Sequence, residues 1–319
     1  MNKIRLTLLS AVCIFHACCW SQNSTPVFKI IPLGVKGGLD EGNLSSYLLA
    51  LNGTEDYICL DAGTLYDGIR ASMDSGTITG PVNRFLRQNV KGYLISHPHL
   101  DHVAGLIINS PDDSTKNIYG LRFCLDVLKD CYFTWKGWAN FGDQGDEPVL
   151  KKYHYSYLAA GMETPVEHTS LSVTPFLLSH SKPHFSTAFL LRSGKNYLLY
   201  LGDTGADKVE ETGILGRLWQ AIAPLVKANQ LKAILIETSF PDEQPRTQLF
   251  GHLTPALLMQ EFQELNKKTG GAGIKDLPVV ITHIKPTGNN EELVKKELSD
   301  GNTLGLKLIF PRQGQVLTF

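Results

Sequence analysis

The sequence predicts an α/β layered fold, with mixed β-sheets covered by helices. Three observations predict it. Apolar runs of strand length alternate with longer stretches of helical spacing along the chain. No internal repeat or long Pro/Gly/Ser linker breaks the alternation. With 319 residues, 43% of them hydrophobic, the chain can bury a large core, which excludes disorder and fibrous folds.

The elements follow in order. Lys3 and Arg5 precede an apolar run, Leu6 to Cys19, shorter than the about 20 residues a membrane span needs. Charge, a short apolar stretch, then polar Ser21-Gln22-Asn23-Ser24 is the order of a signal peptide. The expected division is a signal peptide over 1–21, a short polar tether over 22–27 and one folded domain over 28–319. Cleavage falls after Ser21, with Cys19 at the minus-three position; lipid attachment at Cys18 is the alternative. Either route exports the protein, to the periplasm or beyond, periplasmic or secreted. No later segment is apolar enough to span a bilayer.

Strands are expected at 28–35, 45–51 and 57–61, with Gly and Asn turns between them. A helix over 82–89 leads into a strand at 92–96, and apolar spacing suggests another helix around 121–133. The second half repeats the style. Strands at 172–178, 186–192 and 197–201 precede a long helix over 214–228 and a strand at 232–236. A helix over 254–267 leads to a strand at 278–282, and a helix over 290–298 precedes terminal strands at 306–310 and 315–319. The segment from Lys136 to Glu163, rich in Gly, Tyr and Trp, lacks clear periodicity and reads as an insertion or active-site lid.

Lys and Arg (30) nearly balance Asp and Glu (31), so no basic field steers a nucleic acid polymer. A small or mid-sized ligand fits better. Of six cysteines, Cys13, Cys18 and Cys19 lie in the leader; Cys59 reads as a buried strand residue. Cys124 and Cys131, on one helix, would sit about 10 Å apart, so no disulfide framework is expected.

The most informative stretch is His97-Pro98-His99-Leu100-Asp101-His102, just after a buried strand. Four metal-ligand side chains in six residues concentrate nitrogen and carboxylate donors on one tight loop, a set that suits Zn²⁺. His180, Asp203 in Gly202-Asp203-Thr204-Gly205, and His283 in Thr282-His283-Ile284 each follow an apolar strand too. Singly each is weak. Together they form the series needed to converge ligands on one sheet edge.

HPHLDH followed by His180, Asp203 and His283 resembles the metallo-β-lactamase superfamily, whose fold is a four-layer αββα sandwich. The longer string HPHLDHVAGLIINSP, with GDTG and THIKP, resembles the class II 3′,5′-cyclic-nucleotide phosphodiesterases from about Phe28 to the C-terminus. The resemblance implies two Zn²⁺ per chain. His97, His99 and His180 would hold one ion, and Asp101, His102 and His283 the other, with Asp203 bridging; Asp101 thereby counts as catalytic. Two such ions generate a hydroxide that attacks phosphorus and clamp the attacking and leaving oxygens. The implied substrate is a small-molecule cyclic nucleotide, cyclic AMP and by extension cyclic GMP, opened to a 5′-monophosphate.

A leaving alkoxide needs a proton. Glu237-Thr238-Ser239-Phe240 and Gly251-His252-Leu253-Thr254 resemble segments of the transfer-RNA 3′-processing endonucleases. By that analogy His252 contacts phosphate and donates the proton, and Glu237 orients its ring. Thr254 also reads as a helix N-cap, a compatible role. Asp61 matches the superfamily's strand-end aspartate, a support for the ligands rather than a ligand. His184, four residues past His180, divides between lining the substrate pocket and a surface or supporting place, the second being preferred. Lys285 divides between a phosphate contact and a solvated side chain, and Trp135, Trp138, Tyr153, Tyr155 and Tyr157 between a purine-stacking surface and a lid packed on itself. His154 and His168 receive no role. The alternatives are another hydrolase of the superfamily, of lactamase, thioesterase or sulfatase type, or a non-catalytic metal-binding protein. A nucleophilic serine is disfavoured because Gly-x-Ser-x-Gly is absent. Oligomeric state leaves no signal in the sequence.

Overall fold

Each of two seven-stranded sheets joins an antiparallel half to a parallel half. In the first, β1 (Phe28–Gly34), β2 (Ser46–Leu51) and β3 (Tyr57–Ala62) form an antiparallel meander. Strands β4 (Val90–Leu94), β5 (Lys116–Leu121) and β6 (Tyr153–Leu158) continue it in parallel. The second sheet repeats the plan. Strands β7 (Thr164–Val166), β8 (Leu171–Ser179), β9 (Phe185–Ser193) and β10 (Asn196–Leu201) are antiparallel. Strands β11 (Leu231–Glu237), β12 (Pro278–Thr282) and β13 (Lys307–Ile309) then run parallel. A last strand, β14 (Leu317–Thr318), returns to pair with β1. This computed structural model describes residues 26–271 and 273–319; the expected signal peptide and Cys18 lie outside the described residues.

Parallel neighbours cannot be joined by a tight turn, and helices supply the crossovers. Helices α1 (Tyr66–Asp74) and α2 (Val82–Gln88) precede β4, α3 (Leu100–Asn109) follows it, and α4 (Arg122–Val127) follows β5. In the second half come α5 (Asp207–Glu210), α6 (Ile214–Lys227), α7 (Pro255–Thr269) and α8 (Asn290–Gly301). Three apolar clusters order the layers. Ile69, Phe85, Val103 and Leu125 pack α1–α4 on the first sheet. Leu218, Trp219, Phe262 and Leu298 pack α6–α8 on the second. Ile30, Leu60, Val173 and Leu235 fill the space between the sheets. The order is therefore helix, sheet, sheet, helix: the expected αββα sandwich. Among the described residues no helix is long and apolar enough to cross a membrane.

The structure corrects three local expectations. The motif at 97–102 is a loop only as far as His99; Leu100 opens α3, so Asp101 and His102 stand on its first turn. The helix expected around 121–133 begins one residue later, because Leu121 closes β5, and it ends in a π-helical turn, Leu128–Tyr132. The segment read as a lid is not irregular throughout. Its Tyr153–Leu158 part is the edge strand β6, with Tyr153 and Tyr155 buried in the core. Those two tyrosines are therefore not a stacking surface. Trp135 donates to the Pro148 carbonyl and Trp138 to Ser110 Oγ, while Arg122 lies over Tyr157. The aromatic segment is tied to itself at Pro148 and to its neighbours at Ser110 and Arg122, with Trp135 and Trp138 left exposed.

Candidate active site

The chain gathers its donor side chains at the carboxyl ends of the strands, where an open α/β sheet leaves room for a ligand. His97 and His99 follow β4, His180 follows β8, Asp203 follows β10, and His283 follows β12. Glu237 is the last residue of β11. His252 lies between β11 and α7, and Thr254 caps α7 by accepting from the Leu257 N–H. Backbone fit fixes this convergence. A Cβ on Gly37 would lie 2.4 Å from the His283 ring, and one on Gly63 2.1 Å from the Asp101 carbonyl oxygen. Only glycine lets those loops approach the donors so closely.

The structure brings all seven expected ligands together. His97, His99 and His180 place one nitrogen each within 4.8 Å of one another, and Asp101, His102, Asp203 and His283 do the same with their donor atoms. Asp203 Oδ2 joins the two groups. It lies 3.7 Å from His97 Nε2 and 3.9 Å from His180 Nε2 on one side, and 3.3 Å from His102 Nε2 and 3.1 Å from His283 Nε2 on the other.

The outer nitrogens show what the inner ones lack. Ser96 Oγ donates to Asp61 Oδ2, so it accepts from His97 Nδ1 at 3.0 Å. His102 Nδ1 donates to Asp61 Oδ2 at 2.8 Å, and His180 Nδ1 to the Gly251 carbonyl at 3.0 Å. Ser239 Oγ donates to Glu237 Oε2 and accepts from His283 Nδ1 at 3.0 Å. In its neutral form an imidazole has one N–H, and the contacts of these four rings turn it outward. In that form four lone pairs face inward toward Asp203 and Asp101; His99 Nδ1, 3.1 Å from His97 Nε2 and 3.3 Å from His180 Nε2, has at most one proton for the two, and His102 Nε2 is buried with no hydrogen-bond partner. Lone pairs facing carboxylates repel unless a cation lies between them. The donor set fits a metal, and the tied outer nitrogens are the usual support of metal-bound histidines.

The electrostatics agree. Burial holds His97 well below the ordinary imidazole range, lowers His180 and His283, and brings His99 to about 4 with the help of His180. Neutral histidine is the metal-binding form. His102 is the exception: against burial, Asp203, Asp61 and Asp101 push it up. Asp203 is held well below the ordinary carboxylate range against burial when His283 and His102 carry protons, the positive charge that a bound cation would otherwise supply.

Glu237 and His252 form a second unit beside the donors. His252 Nδ1 donates to Glu237 Oε1 at 2.8 Å, and Glu237 also accepts from the Thr204 N–H and Ser239 Oγ. Burial alone would lower His252, yet Glu237 and then Asp203 raise it above its usual value. Its ring stacks on His283, with centroids 5.1 Å apart. The arrangement can hold a proton on a buried imidazole next to a metal-type cluster.

Asp61 supports the ligands from beneath. Buried, with φ +52°, it accepts from the Ser96 N–H and Oγ, His102 Nδ1 and Tyr200 OH. His184 is exposed, its ring 6.1 Å from that of His99. Lys285 is half-buried at the edge of the cluster. His154 pairs with Asp143, and His168 sits in a surface turn, both apart from the site. Sequence reasoning missed Ser96, Ser239 and Tyr200. The two serines are adjacent in sequence to assigned residues, a signal that was present; Tyr200 is hidden in an apolar strand.

Comparisons with known proteins agree with this geometry. The family described as class-II cAMP phosphodiesterases matches residues 80–314. A 3′,5′-cyclic-nucleotide phosphodiesterase of Aliivibrio fischeri is 43% identical over 307 residues, covering 92% of this chain and 93% of that protein. A probable 3′,5′-cyclic-nucleotide phosphodiesterase of Yersinia pestis is 38% identical over 333 residues, covering 100% and 97%. Among solved structures, unliganded yeast PDE1 superposes with a TM-score of 0.81 at 24% identity, covering 92% of this chain and all of that one. The metallo-β-lactamase fold protein YhfI of Bacillus subtilis reaches 0.62 at 17% identity, with coverage of 92% and 100%. Both share the fold.

Proposed function

The chain belongs to the class II 3′,5′-cyclic-nucleotide phosphodiesterases, enzymes of metallo-β-lactamase fold with a metal cofactor, and from that premise we propose a two-zinc centre that opens cyclic AMP, and cyclic GMP as a second substrate, to the 5′-monophosphate. One observation carries the metal reading. A single oxygen, Asp203 Oδ2, lies within 3.9 Å of inward-facing nitrogens from both donor groups, the place a bridging ligand needs.

His97, His99 and His180 hold one ion in this reading. Asp101, His102 and His283 hold the other, and Asp203 bridges. Zinc bound there would stabilise charge on the phosphoryl oxygens and make a water nucleophilic at neutral pH. The chain's own residues do the rest. Asp61, Ser96, the Gly251 carbonyl and Ser239 fix which nitrogen His102, His97, His180 and His283 offer. Glu237 keeps His252 Nδ1 occupied, leaving Nε2 to give its proton to the departing 3′-oxygen. The raised pKa of His252 supports that role, since the acid must be protonated before it acts.

Zinc-loaded protein should convert cyclic AMP to 5′-AMP, separated from 3′-AMP by chromatography. Only 3′-AMP would overturn the leaving-group assignment. No turnover of cyclic AMP, cyclic GMP or a linear diester would overturn the substrate reading, and a panel of ester and lactam substrates would identify a different hydrolase. Export belongs to the same proposal and rests on the leader's order of charge, apolar run and polar stretch. N-terminal sequencing of the mature protein should begin at Gln22; a blocked, lipid-bearing Cys18 would establish the anchored form instead.

A further inference from the structure

Lys285 is a cation set at the edge of the donor cluster with nothing to bind. Its side chain is 19% exposed, and its Nζ lies 3.8 Å from Asp101 Oδ2, too far for a hydrogen bond. That oxygen already faces His283 Nε2 at 3.1 Å. Among the described residues Lys285 Nζ has no hydrogen-bond acceptor, and no other lysine or arginine pairs with a donor of the site. The lysine stem is largely packed while its ammonium stays open to solvent, so all three of its donors are free for a ligand that enters over the cluster.

The backbone holds it there firmly. The Lys285 N–H donates to the Ser239 carbonyl at 3.0 Å, and the Gly37 N–H donates to the Ile284 carbonyl at 3.3 Å. Gly38, at φ +61°, faces the lysine. A Cβ on that residue would stand 3.5 Å from Lys285 Nζ and 3.9 Å from Asp101 Oδ2. A longer side chain would cover both groups, and glycine leaves the approach over them open.

We propose that Lys285 is a substrate-binding residue that grips a non-bridging phosphoryl oxygen of the cyclic nucleotide and of its product. An ammonium suits this place because it delivers a full charge and three rotatable donors to an oxyanion. The inference deepens the phosphodiesterase reading, on which it rests for the identity of the nucleotide. The phosphate contact can be tested without turnover. The product bears more charge than the substrate, so Lys285 also retains product.

The test uses metal-loaded protein with Lys285→Met and Lys285→Arg, and Lys285→Gln should the Met variant fold poorly. Zinc content should remain that of the parent. Inorganic phosphate affinity, read by calorimetry, should fall about 10- to 100-fold, the size of one charge-assisted hydrogen bond. KM for cyclic AMP should rise with it, and Lys285→Arg should recover part of both. Unchanged phosphate affinity in a fully loaded Met variant would overturn the proposal. So would loss of zinc from the Met variant that Arg does not restore, which would make Lys285 a support for Asp101. Weakened phosphate binding in a protein that hydrolyses no cyclic nucleotide would uphold the lysine and overturn the substrate reading alone.

Discussion

Two buried polar clusters in this molecule are built from similar parts and have opposite balances. One is the donor cluster at the strand ends. The other lies under α2 and centres on Asp113, which accepts from Tyr93 OH at 2.6 Å, Tyr153 OH at 2.9 Å and the Ser114 N–H at 2.7 Å. Lys116 pairs with it and donates to the Leu86 carbonyl as well. Every group there has a partner supplied by the chain. At the strand ends the outer nitrogens are satisfied, and the inner ones converge on carboxylates and on one another with fewer protons than contacts. A closed network is architecture, whereas one left open toward its centre is a binding site for a cation. Burial and charge alone do not separate the two; the balance of donors and acceptors does.

The contrast can be broken at several places. Asp203→Ala removes the shared oxygen and should lower zinc content and reduce kcat by at least about 10³-fold, as losses within a concerted site do. Its melting temperature should stay within about 3 °C of the metal-free parent, because an open cluster is a poor source of stability. Two zinc ions and near-parental turnover in this variant would remove Asp203 from the site.

His252→Ala comes next, with zinc retained and hydrolysis of an alkoxide ester slowed about 10²- to 10⁴-fold. The loss should shrink for a phenol leaving group, which departs without a proton. Equal slowing of both esters would assign His252 to phosphate binding, and loss of zinc would make it a ligand.

In the closed cluster the signs reverse. Asp113→Ala strands Lys116 in the core and should cost about 3–5 kcal/mol by denaturant unfolding, with zinc stoichiometry and KM of the surviving fold unchanged. Altered zinc content would show that the two clusters communicate. The smallest effect is Tyr153→Phe, about 1 kcal/mol, since Tyr93 still donates to Asp113. A cost several times larger would mean that the network acts as a unit.

Much of the donor cluster was legible in the sequence because strand ends and side-chain chemistry are both local. His97, His180, Asp203 and His283 each announce themselves after an apolar run. What was illegible depends on contacts across space. Ser239 earns its place through Glu237 and His283, and Tyr200 reaches Asp61 across the sandwich. Fold errors have similar causes. Helix α3 exposes Leu100 and Ile108 while burying Val103 and Leu106, so no polar face marks its period. Strand β5 opens on a buried Lys116, where an apolar residue was the expected sign. Strand β6 alternates only from Tyr153 to Tyr155; Ser156 and Tyr157 are both half-buried and Leu158 is buried, so it carries no sustained period-2 pattern.

Asp61 has a mechanical meaning beyond its support of His102. Its carboxylate is held from the first sheet by Ser96 and His102 and from the second by Tyr200, so one side chain fastens the two leaves of the sandwich at their open edge. The donor series crosses the same seam: its first four members follow β4, while His180, Asp203 and His283 follow strands of the second sheet. Prising the leaves apart must undo this fastening at the outset. A loaded chain should therefore resist escape from the native state, its unfolding rate dropping more steeply than its refolding rate climbs.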